Sequence, residues 1–417
     1  MMDGKRVVIT GMGVIAPNGI GLKSFWESLV YGRSGIRRIT HFDASSYSSQ
    51  IAGEIKDFDA LDFMSSKTAR RMDRFAQFSV AGTRMALEDA GIEISERNSE
   101  RIGISLGSAL GGIPCAEEQH SIFLEKGLHR VDPLIAIKIF SGASTSQVSV
   151  EFGIRGHSNT IGGACAAGTD SIGYAFYVIK NNLADIMIAG GSEAPIVPLT
   201  FGAFCLIKAL STRNGDPTRA SRPFDKERDG FVMSEGAGVL ILEDLYSALK
   251  RGASVYAEIL GYGTTNDAYH MVQPLPTGEQ AKKSVQLTLS NANVVPSEID
   301  YINAHGTSTP LNDKFETNVI KEIFGEYAYR VPISSTKSMI GHSLGAAGSI
   351  ELIASVLTIK NQFIHPTINY EVPDPECDLD YVPNKGREAI VNTVLSNSYG
   401  FGGKNSAIII RKFYNSE

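Results

Sequence analysis

What most limits the fold of this chain is one junction that recurs in both of its halves: a short apolar run that ends on glycine. Val7-Val8-Ile9 leads into Gly11-Met12-Gly13, and Ala257-Glu258-Ile259-Leu260 leads into Gly261-Tyr262-Gly263. Arg101–Leu106 reaches Gly107 as Tyr301–Ala304 reaches His305-Gly306, and Ile186–Gly191 and Val394–Gly403 have the same form. Short apolar runs bounded by glycine read as buried strands. Segments with apolar residues at helical spacing, such as Phe75–Ala90, lie between them. Alternating strands, glycine turns and helices give an α/β protein whose sheets are covered by helices. Recurrence of the pattern implies a duplicated unit, with similar halves spanning 1–254 and 255–417.

Length and composition exclude several classes. A chain of 417 residues, 43% hydrophobic and 20% charged, can bury a large core and is not a disordered polymer. The net charge of −6 argues against a nucleic-acid binder, because no positive field recruits phosphate. Cys115, Cys165, Cys205 and Cys377 are widely spaced with no CxxC pair, so neither a metal site nor a disulfide framework is expected, and a reducing, cytoplasmic setting is. Met1–Thr10 reads as a first buried strand rather than a leader, since Gly11, Gly13 and Pro17 interrupt the apolar run. No membrane span is expected: the longest candidate, Ile186 to Ile207, contains Glu193, Pro195 and Pro198.

Two motifs carry a bland reading beside a functional one. Gly11-Met-Gly13-Val-Ile-Ala16 has the GxGxxA form of dinucleotide binders, but that motif needs a helix directly after it. Pro17-Asn18-Gly19 intervenes, so a structural turn is expected here, with a helix from about Ser24. The basic run Lys67-Thr-Ala-Arg70-Arg71-Met-Asp-Arg74 is either a solvated helical face or, in an acidic protein, a patch for an acidic partner.

The chemistry centres on Asn159-Thr-Ile-Gly-Gly-Ala-Cys165-Ala-Ala-Gly168-Thr-Asp170. Ile172, Ala175, Phe176 and Ile179 are spaced for a helix ending near Asn181-Asn182, which puts Cys165 on a tight turn at a helix N-terminus. Free N–H groups and the helix dipole there favour a thiolate and can hold an oxyanion. The alternative is a small buried hydrophobe. Three further stretches stand at glycine-rich strand ends, where such folds place ligands: Asn303–Pro310 with His305, Ser335–His342 with Lys337, and the Gly400–Gly403 turn.

Taken with Arg6-Val-Val-Ile-Thr-Gly11, Ser221-Arg-Pro-Phe-Asp225, Gly230–Gly236 and Asn397–Gly403, these stretches closely resemble the β-ketoacyl-acyl carrier protein synthases of the elongating type II kind, in the thiolase superfamily. The resemblance runs from Arg6 to about Lys412. It implies a thiolase-like fold with a five-layered α/β/α/β/α core, a homodimer, and decarboxylative Claisen condensation. An acyl group passes from acyl carrier protein (ACP) to Cys165, and malonyl-ACP loses CO₂ to give the carbanion that attacks it. In that scheme His305 and His342 stabilise the enolate, Lys337 positions the site and pairs with Glu316, and the N–H groups of Cys165 and Phe401 form the oxyanion hole. Phe401 is a gate hinged on Gly400, Gly402 and Gly403. Thr307 and Thr309 bind pantetheine, Leu110 and Phe204 line the acyl pocket, and Lys67, Arg70, Arg71 and Lys208 dock the acidic ACP. No cofactor is implied beyond the 4′-phosphopantetheine that ACP carries.

The chain departs from the family motif near the channel. Gly163-Ala-Cys165-Ala-Ala167-Gly168 stands for Thr-Ala-Cys-Ala-Thr-Gly, Val272-Gln273 for Thr-Ser, Cys205-Leu206-Ile207 for small residues, and Lys404 for threonine or histidine. These leave open a polyketide-type ketosynthase with the same chemistry. A non-catalytic chain-length partner is disfavoured by Cys165 and both histidines, and a biosynthetic thiolase by the lack of a matching second cysteine.

Overall fold

Gly11 and Gly13, expected in a turn, lie inside the first strand. The computed structural model describes residues 5–414, so Met1–Gly4 of the opening segment fall outside it. β1 (Val7–Ala16) is followed by α1 (Leu22–Val30), α2 (Ser66–Ala69) and α3 (Arg74–Ala90). A Cβ on Gly13 would overlap the Gly82 carbonyl oxygen of α3, and one on Gly11 would overlap that of Ala86. The glycines therefore serve a close crossing of strand and helix, not a change of direction.

The chain continues through β2 (Ile102–Gly107), β3 (Ser158–Ile161), α4 (Ala167–Lys180), β4 (Ile186–Glu193) and β5 (Gly236–Asp244). Next come β6 (Ala257–Asn266), α5 (Glu279–Ala292), β7 (Tyr301–Asn303), α6 (Pro310–Phe324) and β8 (Ile333–Ser334). The last elements are α7 (Ala347–Asn361), β9 (Thr393–Gly400) and β10 (Lys404–Lys412). α4 ends one residue before Asn181, where the spacing predicts its stop. β6 repeats the device of β1: a Cβ on Gly261 or Gly263 would stand 2.6 Å from a carbonyl oxygen of α5.

Strand order is β8-β7-β9-β10-β6-β1-β5-β4-β2-β3. The two flanks of the β6–β1 seam mirror each other, parallel outside (β8-β7-β9 and β4-β2-β3) and antiparallel towards the seam. The seam is short, pairing only Val7, Val8 and Ile9 with Ile259, Glu258 and Ala257. Beyond it the flanks diverge, and α4 and α7 fill the space between.

Alternation along the strands sorts side chains into separate cores. Leu240 and Leu242 of β5 face the central helices, while Ala237, Val239 and Ile241 face α3. In β10, Ile408 and Ile410 face the centre, and Ala407 and Ile409 face α5 and α6. The result is the five layers α/β/α/β/α. α7 is buried on every side from Ala347 to Ile359, as an inner-layer helix must be.

The inner helices touch through glycine. A Cβ on Gly168 of α4 would come 2.9 Å from the Gly345 carbonyl oxygen, and one on Gly348 of α7 would run into the Thr169 hydroxyl. Gly348→Ala should therefore cost about 1–3 kcal/mol, the usual range for overfilling a packed site. Chemical denaturation is the measurement; unchanged stability would mean that the crossing tolerates a side chain.

Candidate active site

The nucleophile's turn is built by the end of β3. After Ile161 and two glycines, Ala164 takes a left-handed backbone (φ 49°) and a 3₁₀ turn, Ala164–Ala166, feeds α4. Leu344 (φ 45°) and the turn Leu344–Ala346 repeat this ahead of α7. Cys165 is thereby presented at a helix start but is buried, 7% exposed. Burial pushes its thiol up to about 11, against the pull of the Phe401 and Cys165 N–H groups and the Lys337 charge. The turn and the dipole lead one to expect a thiolate; desolvation outweighs them, and the resting group is a thiol.

Around it the structure assembles the predicted partners. Cys165, His305, His342, Thr307, Thr309, Gly400 and Phe401 all line one cavity of about 380 Å³. His305 and His342 meet edge to face, ring centres 5.3 Å apart. Burial first, then the Lys337 charge, holds both imidazoles well below their ordinary pKa, so both are neutral near pH 7. Lys337 Nζ lies 3.3 Å from His305 Nδ1. An ammonium can only donate, so Nδ1 is the acceptor and Nε2 of His305 carries the proton.

One expected pairing is corrected. Lys337 forms its ion pair with Glu351, not Glu316. Glu316 instead accepts the peptide N–H groups of His305 and Gly306, each at 2.8 Å, and so fixes the histidine's loop. Glu351 was missed in the sequence, although a lone carboxylate within the apolar Ala347–Asn361 helix is a readable signal of a buried charge partner. Glu193 was also missed. Its buried carboxylate accepts from Ala109 N–H (2.6 Å), Leu110 N–H (3.1 Å), Ser108 Oγ (3.0 Å) and Gly345 N–H (3.1 Å), joining the Leu110 loop to the turn before α7.

The Gly400–Gly403 turn, expected as the gate, rests on Cys165. A Cβ on Gly400 would stand 3.1 Å from the Cys165 nitrogen, and Gly402 and Gly403 take left-handed backbones (φ 77° and 73°). Phe401 stacks on Phe204 at 6.2 Å, Phe204 meets Phe231 at 5.9 Å, and Phe231 meets His342 at 5.2 Å. Leu110 and Phe204 pack with Cys165 and Leu344 in one apolar cluster. Thr307 and Thr309 bond each other through their hydroxyls at 2.9 Å. Lys208 lines the cavity rim, whereas Lys67, Arg70 and Arg71 lie exposed on or just after α2. Among the described residues none of these four cations is ion-paired. Four of the departing residues, Ile207, Val272, Gln273 and Lys404, line the cavity.

Comparison with known proteins bears on this geometry. Residues 4–248 match the β-ketoacyl synthase N-terminal domain and residues 256–371 the C-terminal domain. The chain is 48% identical to 3-oxoacyl-(acyl-carrier-protein) synthase 2 of Synechocystis sp., covering 99% of both chains. It is 47% identical to the protein of that name in Staphylococcus aureus, over 99% of this chain and 100% of the relative. Among solved structures, a type II PKS acyl-carrier protein in complex with its ketosynthase bound to the hexaketide has a TM-score of 0.90 and 38% identity, covering 99% of this chain and 100% of that one.

The buried ion pair yields a pH test. The Glu351 carboxyl is raised to about 7 by burial, with Lys337 opposing. The folded protein thus holds this proton more tightly than the unfolded chain, and loses stability as pH rises from the ordinary carboxyl range through about 7. Lys337→Met removes the opposing charge, so the loss should continue above about pH 7, where the wild type levels off. Urea midpoints from about pH 5 to about pH 9 should show a deficit that widens towards about 3–5 kcal/mol, the cost of an unpaired buried charge. A deficit independent of pH would show that the pair does not govern it.

Proposed function

This chain belongs to the β-ketoacyl synthase family, and on that premise we propose that it condenses an acyl group held on Cys165 with malonyl-ACP. The observation that carries this reading is the single cavity onto which Cys165, His305, His342 and the Phe401 gate open. In the first half-reaction Cys165 Sγ attacks the acyl-ACP thioester, its proton leaves to a neutral imidazole, and ACP departs as thiol. The oxyanion forms at the Cys165 and Phe401 N–H groups, both of which already act on the sulfur. In the second, malonyl-ACP loses CO₂, and its thioester carbonyl takes enolate charge beside His305 Nε2–H and His342. The carbanion attacks the Cys165 thioester, giving β-ketoacyl-ACP and restoring the cysteine. Neutral imidazoles suit this, since they donate hydrogen bonds without a competing charge. Lys337 and Glu316 hold His305 and its loop rather than touch substrate.

No metal enters this scheme. The substrates arrive on the pantetheine arm of ACP, with Thr307 and Thr309 along its path. Exposed, unpaired Lys67, Arg70, Arg71 and Lys208 offer the acidic carrier its docking charges. Leu110 and Phe204 bound the acyl chain, and the open edge of β3 together with exposed Phe123, Leu124, Leu128 and Phe140 suits a second copy of the chain. Four unpaired cysteines, and no described helix long and apolar enough to cross a membrane, fit a cytoplasmic enzyme. Relatives at 47–48% identity named 3-oxoacyl-(acyl-carrier-protein) synthase 2 favour fatty-acid elongation over a polyketide role.

Cys165→Ala should abolish acyl-enzyme formation and condensation while leaving the fold intact. Mass spectrometry after incubation with acyl-ACP reads this directly, and an acyl group still attached to the variant would sink the mechanism. Reversing Arg70 and Arg71 to Glu should slow acylation from ACP through the association rate, with salt slowing the wild type similarly. Small pantetheine thioesters should react almost as before. Equal loss with both donors would remove the docking role.

A further inference from the structure

One of the residues at which this chain departs from the family motif, Gly163, lies against a carboxylate, Asp170. Asp170 lies half-buried in the first turn of α4, five residues after the nucleophile. A Cβ on Gly163 would come 2.8 Å from Asp170 Oδ2, so the threonine usual at that place would force the carboxylate to shift. Burial raises the Asp170 pKa, and the charge of Lys404, which stands in place of the usual threonine or histidine, opposes that rise. Two more groups complete the cluster. Ser406 Oγ donates to Asp170 Oδ1, and Tyr262 O–H donates to the same oxygen at 2.8 Å. The Tyr262 ring lies flat on α4 at Gly173, where any Cβ would strike it.

These contacts join two parts of the site. Lys404 and Ser406 stand on β10, which begins directly after the gate glycine Gly403, and Lys404 pairs with Gly400 across the hairpin. Asp170 stands on the helix that carries the nucleophile's turn. The gate hairpin has a second anchor on its outer side: Asn405 Nδ2 donates to Asp267 Oδ1 at 2.7 Å, and Asp267 N–H donates to the Gly403 carbonyl at 2.8 Å. On the inner side Thr169 of α4 bonds Ser398 of the leading strand β9 through their hydroxyls at 2.8 Å, and Asp170 supplies the corresponding tie from α4 to the trailing strand β10.

We propose that Asp170 is a positioning residue that fastens the gate's trailing strand to the nucleophile helix through Ser406, with Tyr262 of the neighbouring β6 on the same oxygen, holding Phe401 closed over Cys165. Gly163, in place of threonine, leaves the carboxylate free to take this position. This deepens the condensing-enzyme reading and rests on it for the meaning of the gate.

The test uses full-length protein and two readouts. Alkylation of Cys165 by iodoacetamide needs no substrate and reports how well Phe401 covers the thiol; acyl transfer from acyl-ACP reports the oxyanion geometry. For Asp170→Asn, alkylation should quicken and acyl transfer slow, each by about tenfold, as expected for weakening hydrogen bonds to a charged group. KM for acyl-ACP should stay at its wild-type value. Ser406→Ala should shift both rates in the same directions but less, and the double variant should be no worse than Asp170→Asn alone, since both act through one tie. A purely structural role would lower stability without quickening alkylation. Wild-type alkylation in folded Asp170→Asn, or additive effects in the double variant, would overturn the proposal. Should Asp170→Asn fail to fold, Ser406→Ala decides, and a wild-type alkylation rate there overturns it. Wild-type protein that takes no acyl group from ACP would instead overturn the condensing-enzyme reading, while alkylation would still test the tie.

Discussion

Everything in this site depends on how closely α4 and α7 can approach. Each follows a turn with a left-handed residue, Ala164 or Leu344, and each meets the other at a glycine, Gly168 or Gly348. Side chains at that crossing would push the helices apart. The turns that precede them, one bearing Cys165 and the other following His342, would then no longer share a cavity. The two halves of the chain share one site, Cys165 from the first and His305, His342 and Phe401 from the second, because their central helices touch backbone to backbone.

Burial is the second governing fact, and it sets the electrostatics. The same desolvation that pushes the Cys165 thiol up also keeps His305 and His342 neutral. A site of neutral thiol and neutral imidazoles costs less to bury than a thiolate–imidazolium pair. Three buried carboxylates organise it. Glu351 balances Lys337, Glu316 grips the His305 loop by two N–H groups, and Glu193 clamps the Leu110 loop to the turn before α7. Charge here holds positions, and the reacting groups stay uncharged until a substrate arrives.

The gate stands between these rigid parts and the solvent. Its glycines bring the Phe401 N–H to the sulfur, and the Phe204 and Phe231 rings carry the apolar wall on to His342. Its hairpin is pinned outside by Asp267 and inside by Asp170. The departing residues Val272, Gln273 and Lys404 lie on this rim, so what is particular to this chain concerns access more than chemistry.

Local pattern by itself determined the strands that run into glycine, though not β5, β8 or β10, together with the helix after Cys165, the repeat and the short list of reactive side chains, because apolar periodicity and glycine punctuation are local properties. It did not determine what the glycines were for. Gly11 and Gly13 read as a turn, yet they sit in a strand beneath α3, and no spacing distinguishes a bend from a close crossing. Nor did it determine the partner of Lys337, since Glu316 and Glu351 are both acidic residues on helices of the same half, and only packing decides which carboxylate meets the ammonium. The thiol's protonation was likewise out of reach. A helix N-terminus can be read along the chain, but the desolvation that overrides it comes from residues scattered from Ala52 to Leu344, and only the tertiary fold brings those to the sulfur.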